Sequence, residues 1–191
     1  MKRDPWLANA RVPVLGVAAP SGTGKTTLLR LIIPVLNARG LRVGIVKQSR
    51  ADFDMDQPGK DSYRLRKAGA DRLLLLDSEQ SALFLEHPGS TEPQLNDLLK
   101  HLEQDQLDLI LVEGFSTQAF AKILLRRQAG ERNSYAMTPD VVAIATDHAS
   151  QESDAVPVLD INNPIAIADF ILTYLSITDA ESRLSRTENA L

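Results

Sequence analysis

The chain has no cysteine, which excludes disulfides, thiolate metal sites and a cysteine nucleophile. That composition is compatible with a reducing compartment. Histidine is scarce too. His87, His101 and His148 do not fall at a metal-ligand spacing, and neither a Ser-His-Asp arrangement nor a paired-carboxylate hydrolase pattern is legible. No apolar run approaches the roughly 20 residues that span a bilayer. The first residues, Met1-Lys2-Arg3-Asp4-Pro5-Trp6, are charged and lead into no apolar segment before Pro13, which argues against a secretory leader. Excess positive charge is missing as well. A net charge of −4 gives no support to general nucleic-acid or membrane-surface binding. What is present, 43% hydrophobic and 24% charged residues, is the composition of an ordinary soluble protein with enough chain to bury a core.

The most informative segment is Ala19-Pro20-Ser21-Gly22-Thr23-Gly24-Lys25-Thr26. It follows an apolar run, Val12 to Ala18, and precedes a helical pattern, Leu28-Leu29-Leu31-Ile32. A phosphate-binding P-loop needs that context. Backbone N–H groups of Ser21, Gly22, Thr23 and Gly24 would cradle phosphate oxygens, and the helix N-terminus with Thr27 would add its partial positive charge. Lys25 is expected to reach the terminal phosphates, and the Thr26 hydroxyl to ligate Mg²⁺. The usual pattern begins with glycine. Ala19 can stand there if its φ is negative.

Alternating strands and helices predict an α/β, P-loop NTPase-like three-layer fold with a mostly parallel central sheet. A strand over Val12–Ala18 leads to a helix from about Gly24 to Asn37, with Pro34 expected to kink or shorten it and Arg39-Gly40 to stop it. Further strands are expected at Arg42–Lys47, Arg72–Asp77, Ala82–Glu86, Leu107–Val112, Ile123–Leu125, Val141–Ala145 and Pro157–Leu159. Asp61 can cap a short helix over Ser62–Ala68. Another helix opens at Thr91-Glu92-Pro93 and runs to His101. The last begins at Asn162-Asn163-Pro164 and runs to Leu175. Residues 1–11 read as a loose arm, 12–175 as a single nucleotide-binding domain, and 176–191 as a polar tail.

Three further constellations carry chemistry. The run Leu109-Ile110-Leu111-Val112-Glu113-Gly114 ends in an acid at the carboxyl edge of the sheet, where such folds bind ligands. Glu113 is therefore a candidate for a metal-facing or water-facing catalytic role, together with Lys25; the alternative is a surface acid in a turn. In Asp52-x-Asp54-x-Asp56-x-Pro58-Gly59-Lys60-Asp61-Ser62, alternate residues of an extended segment share a face. Asp54 and Asp56 are candidate metal ligands there, against an equally weighted reading as a solvated acidic loop. Lys60 could contact phosphate or pair with the nearby acids, and Asp61 stands beside it as a candidate nucleotide contact. Asp147, after the strand Val141–Ala145, could accept the N1–H and N2–H of guanine, although the usual Asn-Lys-x-Asp is absent. The basic clusters Arg64-Arg66-Lys67-Arg72 and Lys122-Arg126-Arg127 read as solvated faces, with Lys122 able to approach the Glu113 loop.

With these elements in order, the chain resembles the MobB family of molybdopterin-guanine dinucleotide biosynthesis adaptor proteins. The resemblance lies in residues 18–29, in Asp54 to Tyr63 with Arg66-Lys67-Ala68-Gly69-Ala70, in Leu107 to Phe115, in Ala121-Lys122-Ile123 and in Leu159-Asp160-Ile161-Asn162. The middle motif is the specific one, since a P-loop alone would fit many kinases and GTPases. The family also carries alanine at the first P-loop position. Gln48-Ser49-Arg50 depart from it, because the family often has histidines after the lysine that Lys47 matches. The resemblance implies a cytoplasmic homodimer that binds GTP with Mg²⁺ and has weak GTPase activity at most. It implies support of the partner nucleotidyltransferase MobA, which joins GMP to molybdopterin, with molybdopterin itself a further candidate ligand. A different class of function, a P-loop small-molecule kinase using ATP or GTP, remains the alternative. The missing Asn-Lys-x-Asp argues against a regulatory GTPase switch.

Overall fold

Runs of short, continuously apolar sequence form strands that are covered on both faces. In the computed structural model, which describes residues 6–49, 59–86, 92–127, 137–148 and 155–176, the chain divides into two compact units. One comprises Met1–Gln48 and Gln94–Leu191, the other Ser49–Pro93. The expectation of one domain over 12–175 makes no such division.

The larger unit is built on a six-stranded sheet. Its strands are β1 (Val14–Ala18), β2 (Val43–Lys47), β5 (Leu109–Glu113), β6 (Lys122–Arg126), β7 (Val141–Thr146) and β8 (Val158–Asp160), in the order β2-β5-β1-β6-β7-β8. All of these pairings are parallel. The central strands β1 and β5 are buried at every position, whereas β2 at one edge is half exposed. Side chains alternate between the faces. Leu15, Val17, Leu109, Leu111, Ile123 and Leu125 meet helices α1 (Lys25–Ala38) and α4 (Pro164–Leu175) on one side. Val14, Ile110, Val112, Phe115 and Phe120 meet Leu95 and Leu99 on the other. Helix, sheet and helix make the three layers of a P-loop NTPase-like α/β fold.

Pro34 neither shortens nor ends α1, which continues to Ala38. The hydrogen bond it removes would have gone to the carbonyl of Arg30, and Arg30 is exposed, so water can take its place. The helix closes where Gly40 and Leu41 donate to the carbonyls of Asn37 and Leu36, and both leucines are buried. The helix expected through His101 is shorter. Helix α3 spans Leu95–Leu98, and a 3₁₀ turn covers Leu99–His101. The side-chain amide of buried Gln104 donates to the carbonyls of Leu99 and Asn9, taking the acceptor a continuing helix would use.

Residues from Trp6 onward are not a loose arm. Leu7 and Ala10 are buried in the core beside Leu95 and Leu99. Asn9 and Arg11 are tied by hydrogen bonds to Asn96 and Gln104. Their polar neighbours hid this in the sequence. Residues 177–191 of the polar tail lie outside the described residues.

In the smaller unit, β3 (Arg72–Leu76) and β4 (Ser81–Leu85) pair antiparallel, with Leu74 opposite Leu83. Helix α2 (Asp61–Lys67) precedes them. Asp61 is its first residue rather than its cap: Lys60 holds the cap position, and the Asp61 carboxylate faces Arg64 at 3.4 Å. Leu74, Leu76 and Leu83 all project from one side of the hairpin, and each is about half exposed or more.

Candidate functional site

The site starts from the turn between β1 and α1. Gly22 and Gly24 carry φ values of +81° and +104°, and Gly24 is the residue that caps α1. A side chain there would be strained in that backbone conformation and would also stand 3.3 Å from the guanidinium of Arg127. Ala19 has no positive φ, so alanine fits the first position. Ser21 is exposed, and buried Thr23 folds its hydroxyl back to the carbonyl of Pro20 at 3.0 Å. Lys25 turns over the loop, its ammonium donating to the carbonyls of Ala19 at 2.9 Å and Pro20 at 2.8 Å. Thr26 and Thr27 are exposed on the first turn of α1.

Glu113 is the last residue of β5, one place later than the expected strand end, and lies level with Val17 on one side and Lys47 on the other. It faces the α1 side of the sheet. Its carboxylate accepts the Thr26 hydroxyl at 2.8 and 3.0 Å, and Lys47 stands 3.4 Å away while also donating to the same hydroxyl at 3.3 Å. The structure thus brings Thr26 and Glu113 together at the mouth of the glycine-rich turn. A hydroxyl and a carboxylate are the hard oxygen donors that suit Mg²⁺, which takes one or two protein ligands and fills its shell with water and phosphate.

The turn after Glu113 is held by Gln48, to which the sequence reading gave no role beyond a departure from the family pattern. The Gln48 amide donates to the Glu113 carbonyl at 2.9 Å, and its side-chain oxygen accepts from the Phe115 amide at 2.8 Å. Gln48 therefore brackets Gly114, whose φ is +105° and where a Cβ would lie 2.6 Å from the Gln48 Cβ. Phe115 itself has a positive φ of 52°. The signal available was the position of Gln48 directly after the edge strand, level with the Glu113 turn.

Lys122 does not approach this site. It packs on the opposite face of the sheet beside Gly16, with its ammonium 2.6 Å from Asp140 and donating to the carbonyls of Gln118 and Ser116. Burial pushes the Asp140 carboxyl up, but hydrogen bonds from Lys122 and Thr138 and the lysine charge outweigh it and hold the group below its ordinary value.

Asp147 follows β7 on the same carboxyl edge. The ring Nε2 of His148 stands 3.5 Å from its carboxylate and 2.9 Å from the Arg127 carbonyl. Lys60 and Asp61 belong to the smaller unit, at the start of α2. Asp54 and Asp56 lie outside the described residues. Among the described residues, no three His, Cys, Asp or Glu side chains gather as a metal site.

Fold and site define a P-loop NTPase-like α/β protein with a glycine-rich turn closed by a strand-tip carboxylate. A protein-family model described as MobB, molybdopterin guanine dinucleotide synthesis protein B, matches residues 14–147, and the chain belongs to that family. It is 44% identical to the molybdopterin-guanine dinucleotide biosynthesis adapter protein of Escherichia coli over 86% of this chain and 94% of that one. The adapter protein of Haemophilus influenzae is 38% identical over 87% and 92%. The crystal structure of Bacillus subtilis MobB, 22% identical, superposes with a TM-score of 0.69 over 84% of this chain and 96% of that one, which speaks to the fold. No helix among the described residues is long and apolar enough to cross a membrane.

Proposed function

We propose that this protein is a GTP-binding adaptor in the conversion of molybdopterin to its guanine dinucleotide form. The observation that carries the reading is the junction of Thr26 and Glu113, 2.8 Å apart at the opening of a glycine-rich turn that starts a helix. In this reading Ser21, Gly22, Thr23, Gly24 and Thr27 line the phosphates. Lys25 exchanges its two carbonyl partners for phosphate oxygens. Thr26 and Glu113 hold Mg²⁺, which would neutralise phosphate charge when bound. In the same reading Asp147 reads the base, and Asp54, Asp56, Lys60 and Asp61 stay candidate metal and nucleotide contacts on the grounds of the sequence motif alone.

Turnover is slow in this reading. Glu113 is committed to Thr26 and Lys47, so it is poorly placed to take a proton from an attacking water. The expected partner is the nucleotidyltransferase MobA; the related proteins are named adapters of molybdopterin-guanine dinucleotide biosynthesis, which supports a partner in that pathway. A homodimer in the cytoplasm is the expected state. The exposed leucine face of the β3–β4 hairpin supports self-association, since hydrophobic surface of that kind gains by being covered.

The test is thermal unfolding with GTP, with ATP and without nucleotide, each with Mg²⁺. A ligand at 100 times its Kd adds about 2.7 kcal/mol, or roughly 5–10 °C for a chain of this size. GTP is expected to give the larger shift and Lys25→Ala to abolish it. An equal or larger ATP shift overturns the assignment of GTP and favours the kinase alternative.

A further inference from the structure

We infer that Arg127 is a phosphate-binding residue of this site, closing the glycine-rich turn from the side of β6. Strand β6 pairs with β1 through Gly16–Lys122, Val17–Ile123 and Ala18–Leu124, so Leu125, Arg126 and Arg127 continue past the point where β1 becomes the turn. There the guanidinium lies on the backbone of Gly24. Its Nη2 is 3.3 Å and its Nε 3.4 Å from where a Cβ on that glycine would stand. Gly24 caps α1, and its carbonyl accepts the first bond of the helix from Leu28.

This is a costly place for a cation. The start of a helix carries partial positive charge, and Lys25 adds a full one. Among the described residues Arg127 forms no ion pair, and it is exposed. The helix end repels a guanidinium held there, and an anion bound between the two would turn that repulsion into two attractions. The planar fork of the guanidinium matches two oxygens of a phosphate group, which an ammonium cannot do. Its backbone is also fixed. The carbonyl of Arg127 accepts from His148 Nε2 at 2.9 Å, tying the end of β6 to the end of β7. The ligand class is therefore a nucleoside polyphosphate, gripped on one side by Lys25 and on the other by Arg127.

The inference rests on the nucleotide placement proposed above, and the experiment separates the two. Binding of GTP, ATP and inorganic tripolyphosphate, with Mg²⁺, is measured by titration calorimetry for the wild-type chain, Arg127→Ala and Arg127→Lys. Arg127→Ala is expected to weaken GTP and tripolyphosphate at least tenfold. Arg127→Lys should recover only part of that loss, and the ligand-free melting temperature should stay within a degree or rise. Wild-type binding with Arg127→Ala within twofold of it overturns the role of Arg127. An affinity loss matched by an equal loss of ligand-free stability, or complete rescue by lysine, overturns it as well. If the wild-type chain binds tripolyphosphate and ATP but not GTP, the base assignment fails and Arg127 is judged on tripolyphosphate. If it binds none of the three, both readings fall.

Discussion

Replacing Asp140 with asparagine removes one charge of a buried pair while keeping its shape. The Lys122 and Asp140 side chains are only 5% and 8% exposed, and their charged atoms are 2.6 Å apart. In the variant the ammonium would keep the carbonyls of Gln118 and Ser116 and the Phe120 ring 4.7 Å away, but no counter-charge. Unpairing a buried ion costs about 3–5 kcal/mol. The remaining acceptors place this case near the lower end, about 3 kcal/mol, which lowers the melting temperature by roughly 6–12 °C for a chain of this length. Circular-dichroism melts at neutral pH measure it. The double variant Lys122→Met with Asp140→Asn leaves no buried charge and should recover much of the loss. The pH dependence has a definite sign. The folded carboxyl sits below its ordinary 3.8, so its contribution is complete above that value and is lost as pH falls through the lower, folded one. The gap between wild type and variant should therefore stay flat from about pH 8 to pH 5 and close only in stronger acid. A loss under about 1 kcal/mol at neutral pH, or a gap that closes near pH 6, would refute this account.

The other predictions concern the nucleotide site. Glu113→Gln should weaken Mg²⁺-supported GTP binding about tenfold, which is about 1.4 kcal/mol. Binding in EDTA should be unchanged or slightly tighter, because a carboxylate facing phosphate has been removed; an unaltered Mg²⁺ dependence would take Glu113 out of the metal site. Lys47→Met should strengthen Mg²⁺ binding by up to about fivefold, since a pair whose lysine end is half exposed, worth about 1 kcal/mol, competes for the same carboxylate. Titration of Mg²⁺ at fixed GTP reads this, and weaker binding would reverse the assignment. Gln48→Ala strips the acceptor from the buried amide of Phe115 and should cost about 1–3 kcal/mol in thermal unfolding.

What the sequence made legible follows from what periodicity encodes. Continuous apolar runs marked the strands of the central sheet, and all but their ends agree with the structure, because a parallel sheet covered on both faces needs such runs. Glu113 was visible for the same reason: an acid closing the run must emerge at a strand tip. The relative reach of neighbouring strands is not encoded locally. Arg127 looks like one more cation after a strand, and only the pairing of β6 with β1 shows that it overruns the turn. Lys122 misled for a related reason. The chain order places it after the Glu113 loop, but the pleat turns it to the far face, where Asp140 neutralises it. The short helix at Leu95 was overestimated because its terminator, Gln104, acts through tertiary hydrogen bonds rather than through a glycine or proline.

The arrangement of the lysine argues for a site organised as an exchange of partners. Lys25 already makes two charge-assisted hydrogen bonds to the turn it belongs to, so its ammonium is held over the loop before any phosphate arrives. Thr26 likewise has both its donor and its acceptor engaged, with Glu113 and Lys47. Binding therefore replaces existing bonds rather than making new ones in open space, and the net gain per contact is small. Arg127 differs, because it stands beside the positive helix end and, among the described residues, forms no ion pair to offset that. The largest change on binding should thus fall on the residue that is worst satisfied beforehand. Measured salt dependence offers the check. Raising salt should weaken GTP binding to the wild-type chain more steeply than to Arg127→Ala, and parallel slopes would show that the guanidinium takes no share of the phosphate charge.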